Sequence, residues 1–255
     1  MSLVRLDRFL ANAGAGSRSD VRKIIKEGRV EVGGKKILDP GSKVDPDADT
    51  VTVGGRRIGP AHPAWIMLNK PAGVVSATRD SRDATVLDLL PEELRGGLFP
   101  VGRLDRDTTG LLLLTDDGQT AHRLLSPRRH VDKTYQVTLA LPVAPETKEL
   151  FAGGVDIGDG KKTLPAVLSD INGNTCRVIL REGRYHQVKR MFEAAGNRVT
   201  ALSRLSMGGL WLDEDLAPGA FRKLRSDEIA LLAKAAGADM DMEITETADE
   251  IDVEE

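Results

Sequence analysis

A single cysteine, Cys176, in 255 residues excludes an intrachain disulfide and a thiolate metal site. Such a lone thiol is expected to fill core space as a small apolar residue. The four histidines, His62, His122, His130 and His186, show no metal-ligand spacing, so no metal is expected. Aromatic residues make up only 4% of the chain, and Trp211 is read as packing. No apolar run approaches the roughly 18 residues that span a bilayer. The segment Met1-Ser2-Leu3-Val4-Arg5 lacks the apolar core of a secretion signal. A soluble, cytoplasmic chain with no membrane partner is expected.

Basic charge is missing from the last stretch. From Asp239 onward there are nine acidic residues and no Lys or Arg, so the formal net charge of −3 hides a split. Residues 1–238 hold 36 basic against 30 acidic side chains, a net of +6. A basic body suits a polyanionic partner, and residues 238–255 read as an acidic, disordered tail.

Residues 1–60 read as a separate small α/β module. Leu6, Phe9, Leu10 and Ala13 recur at helical spacing before Gly14-Ala15-Gly16, and Ser17 is a candidate N-cap for a second helix carrying Val21, Ile24 and Ile25. Gly28 ends that helix; Arg29 to Val32 then alternates as a strand into a Gly33-Gly34 turn. The module holds twelve Lys and Arg against eight Asp and Glu. Arg18, Arg22, Lys26 and Arg29 step by three or four residues and are expected to share one helix face. That face is either simply solvated or a surface that tracks phosphates. Gly59-Pro60-Ala61-His62-Pro63 reads as a linker.

Residues 61–237 read as a larger domain. Its candidate strands are Trp65 to Leu68, Leu111 to Leu114, Tyr135 to Leu139, Ala166 to Leu168, Arg177 to Leu180 and Ser203 to Leu205. Its candidate helices are Gln119 to Leu125, Ala144 to Phe151, Tyr185 to Ala195 and Asp227 to Ala236. Mixed strands with segregated helices make this an α+β protein with a mainly antiparallel sheet.

The densest chemistry lies in Gly102-Arg103-Leu104-Asp105-Arg106-Asp107-Thr108-Thr109-Gly110, ahead of four leucines that read as a buried strand. An aspartate between two guanidinium groups is a charge-paired carboxylate, able to act as nucleophile or base. A turn of solvated salt bridges is the other reading of the same residues. Asp107 and Thr108 are expected to brace the loop through bonds to its backbone. Lys70 and Pro71 are expected to shape a strand-end turn.

Four segments occur in order: Asn69-Lys70-Pro71-Ala72-Gly73, the Gly102 to Leu111 stretch, Lys133-Thr134-Tyr135, and Glu182-Gly183-Arg184-Tyr185-His186-Gln187-Val188-Lys189-Arg190-Met191. Together they resemble the rRNA pseudouridine synthases of the small-subunit type. The segment from Arg5-Leu6-Asp7 to Val32 resembles the S4 RNA-binding domain. The resemblance implies that Asp105 is the catalytic aspartate of an isomerase that turns uridine into pseudouridine. The carboxylate attacks the sugar, attacks the base or removes the 2′-proton, and the residues leave all three open. Because atoms are only rearranged, no organic cofactor is implied. The resemblance further implies that Arg184 pairs with Asp105, that Tyr135 stacks on the uracil, and that Arg103 enters the space a flipped nucleotide leaves. Arg106, Lys189, Arg190 and Arg204 are expected at the RNA. The implied partner is ribosomal RNA or an assembling small subunit, met by a monomer. A large-subunit target and a non-catalytic S4-type assembly factor are the alternatives.

Overall fold

The computed structural model describes residues 3–46, 49–58 and 64–237. The acidic tail and the Gly59 to Pro63 linker fall outside the described residues. The chain divides into two compact units, Met1–Pro63 and Ala64–Glu255.

In the first unit a short strand β1 (Val4–Arg5) leads into helices α1 (Leu6–Asn12) and α2 (Arg18–Lys26). Ser17 caps α2 with Asp20 in a reciprocal box, which satisfies two amide donors that a helix start leaves free. Strands β2 (Val30–Val32), β3 (Lys35–Lys36), β4 (Lys43–Val44), β5 (Val51–Val53) and β6 (Arg56–Ile58) follow. The sheet order is β3-β2-β5-β6, while β1 pairs with β4. Gly33 and Gly34 turn the β2–β3 hairpin at φ of 57° and 78°, a left-handed pair that glycine alone adopts cheaply. Leu6, Phe9, Leu10, Val21, Ile25, Val30, Val44 and Val51 close the core. Asp7 is buried beside them, receiving both Arg5 and Arg22. Helix α2 ends at Lys26, and Gly28 at φ of 70° turns the chain away, so Arg29 lies beyond the helix and leaves the expected basic row.

The second unit is built on one sheet. Its strands are β7 (Trp65–Lys70), β8 (Phe99–Pro100), β9 (Thr109–Thr115), β10 (Lys133–Leu139), β11 (Val167–Asn172), β12 (Thr175–Leu180), β13 (Val199–Met207), β14 (Leu210–Trp211) and β15 (Phe221–Lys223). Its helices are α3 (Glu92–Arg95), α4 (Gly118–Leu125), α5 (Thr147–Ala152), α6 (Gln187–Ala194) and α7 (Ser226–Ala235). The strand order is β11-β12-β10-β13-β9-β7-β15, with β14 beside β13 and β8 beside β9. Both faces of the middle are covered, which explains the unbroken leucines of β9. Leu112 and Leu114 join one apolar cluster with Ile66 and Leu68; Leu111 and Leu113 join the other with Trp65 and Met67.

The sheet has a seam. Strands β13 and β9 are parallel and share two register pairs, Ser203 with Thr109 and Arg204 with Gly110. Every other pairing in this sheet is antiparallel. Gly110, at φ of 95°, makes the join possible: a β-carbon there would stand 2.6 Å from Ser203 Oγ and closer still to the Arg204 carbonyl.

Two helices start later than the sequence suggests. Pro145 disfavours helical geometry at Ala144, and α5 begins at Thr147. His186 sits at φ of 49°, outside the right-handed helical region, so α6 begins at Gln187 rather than at Tyr185. Trp211 is 51% exposed, contrary to its expected packing role.

Candidate active site

Asp105 lies on the loop between β8 and β9, and that loop is fastened from the β7 side. Lys70, at 0% exposure, closes β7 and donates from Nζ to the carbonyls of Pro71 (3.0 Å), Arg106 (3.3 Å) and Thr108 (2.9 Å). Ser76 Oγ donates to the Leu104 carbonyl at 2.9 Å and accepts the Leu104 amide at 3.0 Å. Gly73 donates to the Arg106 carbonyl, and the Arg106 guanidinium returns a bond to the Gly73 carbonyl. The Thr108 amide closes a turn on the Asp105 carbonyl at 3.1 Å. The bracing therefore comes from Lys70 and Ser76. The Thr108 hydroxyl is buried without a partner among the described residues and does not fill its expected role, whereas the Asp107 carboxylate bonds its own backbone as well as Lys189.

The partners of Asp105 also differ from expectation. Lys189 Nζ lies 3.0 Å from Asp105 Oδ2 and 2.6 Å from Asp107 Oδ1; His186 Nε2 lies 3.4 Å from Asp105 Oδ1. Bonding to Lys189 holds the Asp107 carboxyl below its usual range. Arg184 makes no bond to Asp105. Its guanidinium donates to Glu182 Oε2 (3.2 Å) and to the carbonyls of Lys161 (2.9 Å) and Lys162 (2.8 Å). Gln187 completes this fastening by bonding the Arg184 amide and Glu182. The left-handed turn at His186 explains the exchange. It restarts the chain as α6 after Arg184, and within the first turn of that helix Lys189 meets the aspartate.

Asp105 opens onto a cavity of about 640 Å³ lined by Arg103, Arg106, Lys133, Tyr135, Arg184, Tyr185, His186 and Arg204 among others. Tyr135, on β10, is 9% exposed. Arg103 and Arg106 are exposed at the same loop, and Arg106 also reaches Asp83 at 3.2 Å. Arg190 is committed to Asp159 and to the carbonyls of Ile157 and Tyr185 rather than open to a ligand. Tyr185 stands 75% exposed, with its ring stacked on His186 at 3.8 Å. Sequence reasoning passed over Ser76, His186 and Lys133 as site residues; Lys133, two residues before Tyr135 on a strand, carried the clearest signal. Arg204, expected to line the RNA cleft, does line the cavity, as a buried floor residue 2% exposed. In the first unit Arg18, Arg22 and Lys26 are exposed on α2, with Arg22 bound to Asp7 at 3.1 Å.

A carboxylate beside an ammonium, above a half-enclosed cavity with an aromatic wall and a cationic floor, can hold a flat polar ring and act on an atom next to it. Comparison with known proteins identifies the class. The profile of the RNA pseudouridylate synthase family matches residues 64–194, and that of the S4 domain matches residues 4–49. An uncharacterized RNA pseudouridine synthase of Bacillus subtilis is 50% identical over 234 residues, covering 90% of this chain and 98% of that protein. The ribosomal small subunit pseudouridine synthase A of Escherichia coli is 48% identical over 229 residues, covering 89% and 99%. A crystal structure of a pseudouridylate synthase superposes with a TM-score of 0.65 at 38% identity, over 90% of this chain and 99% of that one. The chain belongs to the RNA pseudouridylate synthase family and carries an S4 domain at its N-terminal end.

Proposed function

We propose that this enzyme isomerises one uridine of small-subunit ribosomal RNA to pseudouridine, with Asp105 as the catalytic group. The observation that carries the reading is Asp105 itself, held by a braced turn at the edge of the cavity, 3.0 Å from Lys189 and across from Tyr135. The 48% identity to a small-subunit synthase over nearly the whole of that protein favours the same branch of substrates.

The reaction breaks C1′–N1, turns the uracil and joins C5 to C1′. A duplex or folded RNA shields these atoms, so the nucleotide has to leave its stack. Tyr135 offers the displaced uracil a face, and base–aromatic stacking is worth roughly 1–3 kcal/mol, comparable with the cost of unstacking. Arg103 fills the gap left in the RNA. The Asp105 carboxylate then acts at the sugar or the ring, with Lys189 fixing its direction. Arg184 acts one step removed, by tying the Glu182 to Gln187 segment to Lys161 and Lys162. Arg18, Arg22 and Lys26 on α2 hold RNA phosphates, and such contacts make binding salt-dependent.

The test is pseudouridine mapping of ribosomal RNA from cells lacking the protein, complemented with wild type or Asp105→Asn. Loss of one small-subunit pseudouridine, restored by wild type alone, is expected. A lost large-subunit site would move the substrate to the other subunit. Restoration by Asp105→Asn would remove the aspartate from the chemistry and favour an RNA-binding assembly role.

A further inference from the structure

The cavity floor carries two cations that this reading leaves without a task. Lys133 and Tyr135 leave β10 on the same side, and Arg204 stands opposite Tyr135 on β13. All three line the cavity with Asp105. Lys133 is 7% exposed and Arg204 2%. Their bonds go to main-chain carbonyls, Lys133 Nζ to Val131 at 2.9 Å and Arg204 Nε to Leu111 at 2.8 Å. Arg204 Nη2 is buried with no partner among the described residues. The carboxylate whose field reaches Lys133, Asp132, is itself bonded to Arg181 at 2.8 Å. Burial, and then the charge of Arg204, push the Lys133 ammonium down to about 8.

Two like charges buried side by side destabilise a fold unless something anionic completes them. The occupant follows from the way RNA enters. A displaced nucleotide goes in base first, because its phosphates stay joined to the chain outside. Those phosphates meet the exposed rim at Arg103 and Arg106, and the floor meets the ring. When C1′–N1 breaks, its electron pair remains on uracil, and the charge spreads over N1 and the two carbonyl oxygens. Resting on the function proposed above, we infer that Lys133 and Arg204 form an anion site for the detached uracil, holding it more tightly charged than neutral. Asp105 meanwhile either bonds C1′ or takes the 2′-proton. After the ring turns, C5 returns an electron pair to C1′, Asp105 leaves C1′ or gives back the 2′-proton, the C5 proton is lost and N1 gains one. The net change is an isomerisation that needs no co-reactant. Donors placed where charge develops act on the barrier rather than on substrate binding.

The experiment compares free bases and RNA turnover on the full chain. 5-Nitrouracil is an anion at neutral pH, uracil is neutral, and thymine controls for bulk at C5. Wild type is expected to bind 5-nitrouracil about tenfold or more tightly than uracil or thymine, a preference that Lys133→Met reduces to about threefold or less. Arg204→Lys, which keeps the charge but removes the unpartnered donor, is expected to lose part of it. With RNA, Lys133→Met should lower kcat by about 100-fold and leave KM within about threefold. Thermal melts establish that both variants are folded, and the wild-type preference needs no variant at all. Equal wild-type affinity for the three bases, or no detectable binding of 5-nitrouracil, would overturn the inference. A raised KM with intact kcat, together with competition by inorganic phosphate, would overturn it in favour of a phosphate site. Wild type that prefers the anion yet modifies no ribosomal RNA would instead defeat the proposed substrate and leave the anion site standing.

Discussion

Replacing Lys70 by methionine should separate activity from stability. The side chain is fully buried, and burial moves its pKa from 10.5 to about 8, so holding the ammonium there costs about 3 kcal/mol. Three bonds to carbonyls offset that cost, each worth about 1.5–3 kcal/mol for a charged donor. Methionine removes the penalty and the bonds together and fills nearly the same volume. The expected net loss is about 1.5–6 kcal/mol, or about 3–24 °C in melting temperature for a unit of this size. Two of the three carbonyls, Arg106 and Thr108, belong to the turn that Asp105 opens, so the aspartate loses its fixed position. A misplacement on the order of 1 Å costs roughly 100-fold in rate, and kcat should fall by about that factor. The pH dependence has opposite signs in the two assays. The unfolded chain keeps the Lys70 proton to about 10.5 and the folded chain only to about 8, so this group makes the fold relatively more stable as pH rises through that window. Turnover should fall over the same range as the donor is lost. Stopped-flow or discontinuous pseudouridine assays beside melts at pH 7 and pH 9 measure both. Wild-type kcat in Lys70→Met would refute the bracing argument, and a stability loss outside about 1.5–6 kcal/mol in urea titrations would refute the energy balance.

Three further outcomes are expected. Lys189→Met leaves Asp105 and Asp107 facing each other without their shared cation and should lower kcat by about 10- to 100-fold, with stability changed by under about 1 kcal/mol in urea titrations. Gly110→Ala combines a left-handed backbone with a collision at the Arg204 carbonyl and should destabilise the second unit by about 3 kcal/mol or more. Asp7 is held at about 2, below the ordinary 3.8, first by its bond to Arg5 and also by Arg22. Its contribution is present above pH 3.8 and lost as pH falls toward 2; because both arginines are solvated, Asp7→Asn should cost about 1–2 kcal/mol at pH 7 and flatten the acid limb of a melt against pH.

Local patterns in the sequence carried much of the fold. The four leucines of β9, the Ser17 cap and the Gly33-Gly34 turn each have a short-range cause, and each forms where its residues indicate. The site was legible in its residue types and less so in its pairings. Asp105, Tyr135 and Arg184 stand out as catalytic in the sequence and Lys189 only as an RNA contact, yet Lys189, five residues further from Asp105 in sequence than Arg184, is the one that meets it. A single left-handed residue, His186, decides which cation arrives, and histidine carries no strong signal for that conformation. Lys70 looked like a turn residue because nothing in Asn69-Lys70-Pro71 reveals two carbonyls converging from a loop more than thirty positions away. Long-range convergence of this kind has no periodicity to read.

The parallel join of β9 to β13 has a consequence for how the enzyme fails. Asp105 is carried by the strands on one side of that join, whereas Tyr135, His186, Lys189 and Arg204 are carried by the other side. The enzyme is thus two half-sites, spliced by strands that share only two register pairs, at Gly110, while their side chains pack together in both apolar clusters. A fluctuation that parts the splice would leave most antiparallel ladders intact and still pull the aspartate from its cation, its aromatic wall and the cavity floor together. Turnover therefore reports the closure of the splice, and on heating it should vanish before the far-ultraviolet signal of the sheet begins to fall.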